Sequence, residues 1–193
     1  MTPSVWEEAD GAGLSAGITK PAGTSAGTTI EFTPSTTPDG LTARIAFSPD
    51  ADGSNAADKG GSGVSAIKGS GWDITLEATE DLHGMAGLTV YGGISNVDRH
   101  QNAAANNGDS KERVVGIKYA VGNFTVGWQD SNDEVGTTAN NEYDNTSYSV
   151  TFNVNDDLSI GYNHTESDES GQGKDTAEAD SIQAAYTMGG ATF

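Results

Sequence analysis

The fold of this chain is decided by residues 115–128, VGIKYAVGNFTVGW. Apolar side chains occupy every second position up to Val121 and again from Phe124 onward, with small or polar residues between them. Strict alternation of this kind is typical of a β-strand that has one apolar and one polar face. Only Gly122 and Asn123 separate the two runs, and such a pair favours a tight hairpin turn. The stretch therefore predicts two antiparallel strands.

The same alternation recurs along most of the chain, and helical periodicity of comparable length is missing. We therefore predict an all-β chain, an antiparallel up-and-down meander of about ten to eleven strands. Besides the two strands above, the predicted strands are Leu14–Ile18, Ile30–Phe32, Leu41–Phe47, Trp72–Ala78, Leu88–Ile94, Tyr148–Val154, Leu158–Tyr162 and Ile182–Met188, with a last one beginning at Ala191.

The connections between these strands alternate in length. The short ones are Ser35–Asp39, Glu80–Gly87, Gly122–Asn123, Asn155–Asp157 and Gly189–Gly190. The longer ones are polar and mostly acidic: Lys20–Gly27, Pro49–Gly69, Asp98–Lys111, Asp130–Glu142 and Glu166–Ala177. Because every second connection of a meander lies at the same end, one rim has tight turns and the other has long loops. This asymmetry is typical of a transmembrane β-barrel, whereas a β-sandwich built from such strands would have a thin core.

Composition excludes several classes of function. The chain has 28 acidic and 9 basic residues, a formal charge of −19, and no lysine- or arginine-rich stripe that could neutralise phosphates, so nucleic-acid binding is excluded. The absence of cysteine removes disulfides, thiolate metal sites and thiol catalysis. No run approaches the roughly 18 apolar residues of a membrane helix, and Met1-Thr2-Pro3 begins no signal segment.

Strand parity assigns side chains to two faces of a barrel. Aromatic residues on the apolar parity would form girdles at the two lipid interfaces, although β-propensity alone also enriches aromatics in strands. Residues on the polar parity would line the pore, although any of them could equally be a solvated strand residue. The predicted girdle is Tyr119, Phe124, Trp128, Tyr148, Phe152, Tyr162 and Tyr186. The predicted pore-lining residues are Glu31, Arg44, Asp73, Glu77, Lys118, Gln129, Asn163 and Gln183.

Two segments resemble the general-diffusion porins of alphaproteobacteria: residues 115–128 quoted above and residues 184–193, AAYTMGGATF. The resemblance covers about residues 87–193. It implies a barrel of roughly sixteen strands, usually a trimer, with an inward-folded loop that narrows each pore. The chain departs from this pattern because it lacks a secretion signal, has fewer strands, and reaches Phe193 just after the Gly189–Gly190 turn. We therefore interpret residues 1–193 as one porin-type barrel segment, incomplete at both ends.

The predicted function is passive diffusion of small hydrophilic solutes and ions through a water-filled pore in the outer membrane of a Gram-negative bacterium. Such a pore needs no catalytic residue, metal or cofactor, and its partners would be membrane lipid, lipopolysaccharide and further copies of the chain. The excess of acids predicts a modest preference for cations.

Three alternatives remain at the level of sequence. A secreted or surface-attached adhesin or fibre would also be acidic and glycine-rich. A β-scaffold hydrolase could use Asp73 and Glu77, but four residues along one strand separate them by ~13 Å. Calcium could bind acidic loops, yet the Asp50-Ala51-Asp52-Gly53 segment lacks the spacing of a calcium-binding hand, and solvated carboxylates are the expected state.

Overall fold

A computed structural model describes residues 24, 28–50, 68–99, 109–135, 142–170, 176–188 and 191–192. These residues form one antiparallel sheet in which each strand pairs with its neighbours in the chain, so the predicted up-and-down meander is confirmed. The strands are β1 Thr28–Phe32, β2 Leu41–Asp50, β3 Lys68–Ala78, β4 Leu88–Arg99, β5 Ser110–Val121, β6 Phe124–Val135, β7 Glu142–Asn153, β8 Leu158–Glu169, β9 Ala177–Met188 and β10 Ala191–Thr192.

The short turns have the local chemistry that their sequences require. Gly122 has a φ of 56°, a left-handed conformation that residues with a side chain adopt at a cost. In the next short turn, the Asn155 side-chain oxygen accepts hydrogen bonds from the backbone N–H groups of Asp157 and Leu158, both at 2.9 Å. An asparagine side chain that bonds to the following backbone in this way stabilises a turn.

The connection between β3 and β4 contains a short helix, α1, Glu80–His83, which the strand pattern did not predict. One helical turn is too short to show a periodicity of its own. The helix packs against the preceding short turn: a Cβ added to Gly40 would lie 2.3 Å from the Leu82 backbone nitrogen. The Thr79 N–H also donates to the Gly40 carbonyl at 2.8 Å. Two neighbouring turns at this rim are therefore joined.

At the opposite rim, the strands run further than predicted. Strand β6 continues to Val135 and β8 to Glu169, through segments that were predicted to be loops. Apolar alternation stops before these positions, but each backbone N–H and C=O still needs a hydrogen-bond partner, and the ladder supplies one. The predicted loop carboxylates Asp130, Asp133, Glu134, Glu166, Asp168 and Glu169 therefore lie on strands.

Some predicted features lie outside the described residues. These are the strand Leu14–Ile18, most of the connections Lys20–Gly27 and Pro49–Gly69 with Asp52 and Asp58, and the turn Gly189–Gly190. Asp50 is the last residue of β2. Within the described residues, β1 pairs only with β2, and β10 pairs only with β9.

The two faces of the sheet differ in composition and in exposure. The polar face is enclosed; Ser147, for example, is only 5% exposed. The apolar face is open, and Trp128 on the neighbouring strand is 38% exposed. A soluble β-protein normally buries its apolar face and exposes its polar one. This sheet has the reverse arrangement, which suits an apolar environment around it and water within it.

Candidate functional site

The register places all the predicted pore-lining residues on the enclosed polar face. In one row across the strands, Lys118 pairs with Gly127, Gly127 with Ser149, and Ser149 with Asn163. Residues that are direct partners in a ladder share a face. The same reasoning through the other rows brings Glu31, Arg44, Asp73, Glu77, Gln129 and Gln183 to this face.

The Asp73 carboxylate is bound by a residue that lies far away in the chain. Its Oδ2 atom accepts hydrogen bonds from the Thr24 backbone N–H at 3.0 Å and from the Thr24 hydroxyl at 2.8 Å. Thr24 is 2% exposed and Asp73 is 8% exposed. The carboxylate therefore anchors residue 24 against the polar face of β3, which sequence alone did not indicate.

Gln129 is held by an aromatic side chain from two strands away. The Tyr91 hydroxyl donates to Gln129 Oε1 at 3.0 Å, and the tyrosine crosses over Gly116 on the intervening strand. A Cβ added to Gly116 would lie 2.4 Å from the ring carbon Cζ, so only glycine leaves room for this path. Tyr91 was missed because strand parity assigned only polar residues to the pore.

An acidic row crosses the same face near the long-connection rim. Glu112 and Asp133 are direct partners in the ladder, and both are buried. Glu112 Oε2 accepts a hydrogen bond from the Ser95 hydroxyl at 2.9 Å. Sequence alone did not indicate this row, because residues 130–142 were predicted to be a loop. Continuing the parity of Lys118 and Gly116 back to Glu112 would have revealed it.

The aromatic residues of the predicted girdle all lie on the opposite, apolar face and are exposed. The Phe124 and Phe152 rings lie close together, with centroids 4.7 Å apart and planes tilted by 34°. Both rings lie near short turns, whereas Trp128 and Tyr148 are ladder partners nearer the other rim. The remaining girdle residues, Tyr119, Tyr162 and Tyr186, share this face.

The upper border of the apolar face, on the long-connection side, slants across the sheet. The last large apolar residue is Phe47 on β2, Ile94 on β4, Trp128 on β6 and Ile182 on β9. When their positions are compared through the ladder register, each of these residues lies further from the long-connection rim than the one before. The average offset is about 1.1 residues per strand. With 3.3 Å per residue and about 4.8 Å between strands, a level border requires strands tilted by about 40°. Closed membrane barrels have this tilt.

The tilt also shows which charged residues of the polar face share a level. On β3, Glu77 lies two residues nearer the short-turn rim than the position opposite Arg44 of β2. On β5, Lys118 lies two residues nearer that rim than the position in the ladder row of Glu77. This descent follows the slant of the apolar border. Arg44, Glu77 and Lys118 therefore lie within about one residue, or ~3 Å, of one level, opposite the middle of the apolar band. Glu112 and Asp133 lie directly opposite each other, without this offset between strands, and are nearer the long-connection rim than this level.

No metal site is formed by the part of the chain that the structure describes: no group of three or more His, Cys, Asp or Glu side chains converges there. His164 bonds instead to Asp180, with Nδ1 to Oδ1 at 2.8 Å, and stacks on Tyr148 at a centroid distance of 4.8 Å. Both contacts lie on the apolar side of the sheet, at its border.

Comparison with known proteins agrees with this geometry. Among the described residues, no helix has the length and apolar character needed to cross a membrane. No curated protein matches the chain. Residues 3–192 match the family described as Gram-negative porin. The match spans nearly the whole sequence, including the strands whose polar face is enclosed and whose apolar face is exposed. The chain belongs to the Gram-negative porins, proteins of the bacterial outer membrane.

Proposed function

We propose that the chain forms the wall of a water-filled pore through which small hydrophilic solutes and ions diffuse passively, without catalysis. The observation that carries the proposal is the inverted sheet, whose polar side chains are enclosed and whose large apolar side chains are exposed. Water inside and lipid outside would satisfy both faces. No cofactor is needed, because the selectivity of a pore comes from its width and the charges that line it.

The narrow part of this pore is expected at the level of Arg44, Glu77 and Lys118, which we name the mid-level belt. Arg44 and Lys118 are exposed and Glu77 is half-buried, so their charges remain accessible to water on the enclosed face. In this belt, two cations flank a single acid. Their opposite charges mainly produce an electric field across the pore, and the net charge of the belt is small. Permeating ions of either sign would find a partner there.

Selectivity for cations would come from above the belt. Glu112 and Asp133 line the approach from the long-connection rim. Glu169 lies in the same ladder row, because Asp133 pairs with Tyr143 and Tyr143 pairs with Glu169. Acids around an entrance raise the local concentration of cations, and water-filled entrances leave this effect open to screening by salt.

The same proposal includes the surroundings of the pore. The exposed apolar face would contact membrane lipid, and its upper border would contact lipopolysaccharide, because aromatic and charged side chains meet there. The resemblance to general-diffusion porins implies that the protein assembles as a homotrimer. Chemical cross-linking of the intact protein in its membrane tests this oligomeric state.

Conductance across a planar lipid bilayer tests the proposal directly, using the protein purified in detergent. We expect stepwise, ohmic currents that scale with salt concentration, as a water-filled pore requires. Absence of steps in a protein that stays monodisperse without detergent would reject the pore and favour the surface adhesin.

A further inference from the structure

The exposed apolar face contains a groove of about 740 Å³ that runs across β3, β4 and β5. It forms because Gly92 has no side chain, while its ladder partners Leu76 and Val115 are large. Val90 and Ile94 bound it along the strand, four residues or ~13 Å apart. All these residues line the groove, and with them Leu41 and Ile74. The groove is thus narrow and apolar along its length.

The groove ends at a pair of cations. Arg113 lines its end at the border of the apolar face, and Lys111 lies two residues further along the same face of β5. Neither side chain makes an ion pair with a described residue. Asp130 also lines the groove, but its Oδ2 atom accepts a hydrogen bond from Thr146 on β7, at 3.3 Å. Lys111 lies directly opposite Glu134 in the ladder, whereas both ladder partners of Arg113, Ile94 and Asn132, are uncharged. Arg113 is therefore the cation most open to a ligand, and Lys111 adds a second positive charge beside it.

The remaining strands show why an anion would prefer this position. Above the apolar border, the outward residues of β6 to β9 carry carboxylates and, among the side chains that the structure describes, no lysine or arginine. An anionic group would be repelled along most of this border and attracted only at β5. The carboxylates are Asp130, Glu134, Glu142, Asp144, Glu166, Asp168, Glu178 and Asp180.

We propose that this groove binds an acyl chain of a phosphorylated membrane lipid, with the phosphate held by Arg113 and Lys111. A guanidinium binds phosphate oxygens through two parallel hydrogen bonds, and a neighbouring ammonium adds a second charge. The chain would cover Leu76, Ile94 and Val115, which otherwise form a depression in the lipid-facing surface. The proposal rests on the proposed function in one respect, namely that this face contacts lipid.

Trp72 lies on the same face of β3, two residues from Ile74, so tryptophan fluorescence gives a local readout once Trp6 and Trp128, the other two tryptophans of the chain, are replaced by phenylalanine. The protein is placed in phosphatidylcholine vesicles that contain small fractions of either phosphatidic acid or diacylglycerol, both with the same brominated acyl chain. Bromine quenches tryptophan at short range. We expect half-maximal quenching at an about tenfold lower fraction of phosphatidic acid than of diacylglycerol, as for one charge-assisted phosphate contact.

Variants assign the two parts of the site. Arg113→Gln should remove most of the preference for phosphatidic acid and leave quenching by diacylglycerol unchanged. Gly92→Leu fills the groove and should weaken quenching by both lipids; its Cβ would lie 3.2 Å from the Val114 carbonyl oxygen, a contact that needs only a small shift. The matched controls on β9 are Glu178→Gln for the charge and Ala184→Leu for the added bulk. Both lie on the same face, away from the groove.

Equal quenching by the two lipids in the unaltered protein overturns the proposal, and so does a preference that survives Arg113→Gln. Weak quenching that increases when the protein is diluted would instead assign the groove to a second copy of the chain. Conductance of the same preparation separates this result from the proposed function. If the protein conducts but shows no preference for phosphatidic acid, the proposed pore stands and the proposed lipid site is rejected. If it shows the preference but does not conduct, the lipid site stands and the pore is rejected.

Discussion

At the scale of single residues, the polar face depends on contacts that a residue pattern does not specify. Tyr91 reaches Gln129 only because Gly116 lies between them, and Asp73 reaches Thr24 across 49 positions of the chain. Parity assigns Gln129 and Asp73 to a face, but the partner of each is set by the register of neighbouring strands. These two contacts join parts of the polar face that the ladder hydrogen bonds do not join.

Replacing Gly116 by alanine should destabilise the protein. The new Cβ would overlap the Tyr91 ring, which must then leave Gln129, and overpacking of this kind costs about 1–3 kcal/mol. The measurement is the free energy of unfolding by urea in detergent. Gly161→Ala is the matched control on the same face, since its Cβ would meet no atom closer than 3.6 Å. Equal effects of the two variants would contradict the packing of Tyr91.

Replacing Asp73 by asparagine should release residue 24 from the polar face. The variant removes the negative charge that accepts two hydrogen bonds from Thr24, and bonds to a charged acceptor contribute about 1.5–3 kcal/mol each. We expect the amide proton of Thr24 to exchange with solvent at least about tenfold faster. Asp98→Asn is the control, because Asp98 is exposed and accepts its hydrogen bond from the Ser70 hydroxyl, at 2.7 Å, not from Thr24. Unchanged exchange at Thr24 would show that the contact does not hold the segment.

At the scale of elements, the sequence predicted most strands and their faces, because alternation with a period of two depends only on the chain itself. It predicted strand ends poorly at the long-connection rim. There the apolar signal stops at residues such as Trp128, but backbone pairing continues to Val135. The acidic row of Glu112 and Asp133 was missed for this reason. Helix α1 was missed because its stability comes from packing on Gly40, a contact between two separate turns.

Replacing Gly122 by valine should weaken the hairpin of β5 and β6. The residue has a φ of 56°, and a left-handed conformation costs a residue with a side chain about 1–2 kcal/mol, more for a β-branched one. No atom lies within 4 Å of the added Cβ, so the effect would come from the backbone alone. Thermal unfolding should show a lower midpoint. Gly122→Asn should restore most of the loss, since asparagine tolerates this conformation, and failure of that rescue would refute the turn geometry.

At the scale of the whole molecule, the slanted border of the apolar face connects the sequence to the pore. Individual strands show only where apolar residues end. The register converts these positions into a tilt of about 40°, and the tilt then shows which charges share a level. The list of pore-lining residues predicted from sequence contained Arg44, Glu77 and Lys118, but not their alignment. That alignment depends on how all strands are offset, which no single segment of sequence contains.

The last prediction concerns the preference of the pore for cations. Glu77→Gln leaves Arg44 and Lys118 without the acid between them, so the cation preference should fall. Lys118→Gln removes one of the two cations and leaves one base and one acid in the belt, so the cation preference should rise. Asp73 is not part of this test, because its carboxylate is already bound to Thr24. The reversal potential of the protein in a planar bilayer under a salt gradient measures both changes. Because the Debye length is about 8 Å at physiological salt and about 3 Å at 1 M, both should shrink as salt rises. Shifts of the same sign in the two variants would mean that these side chains do not face the ion path, since opposite charges at one level must act in opposite directions.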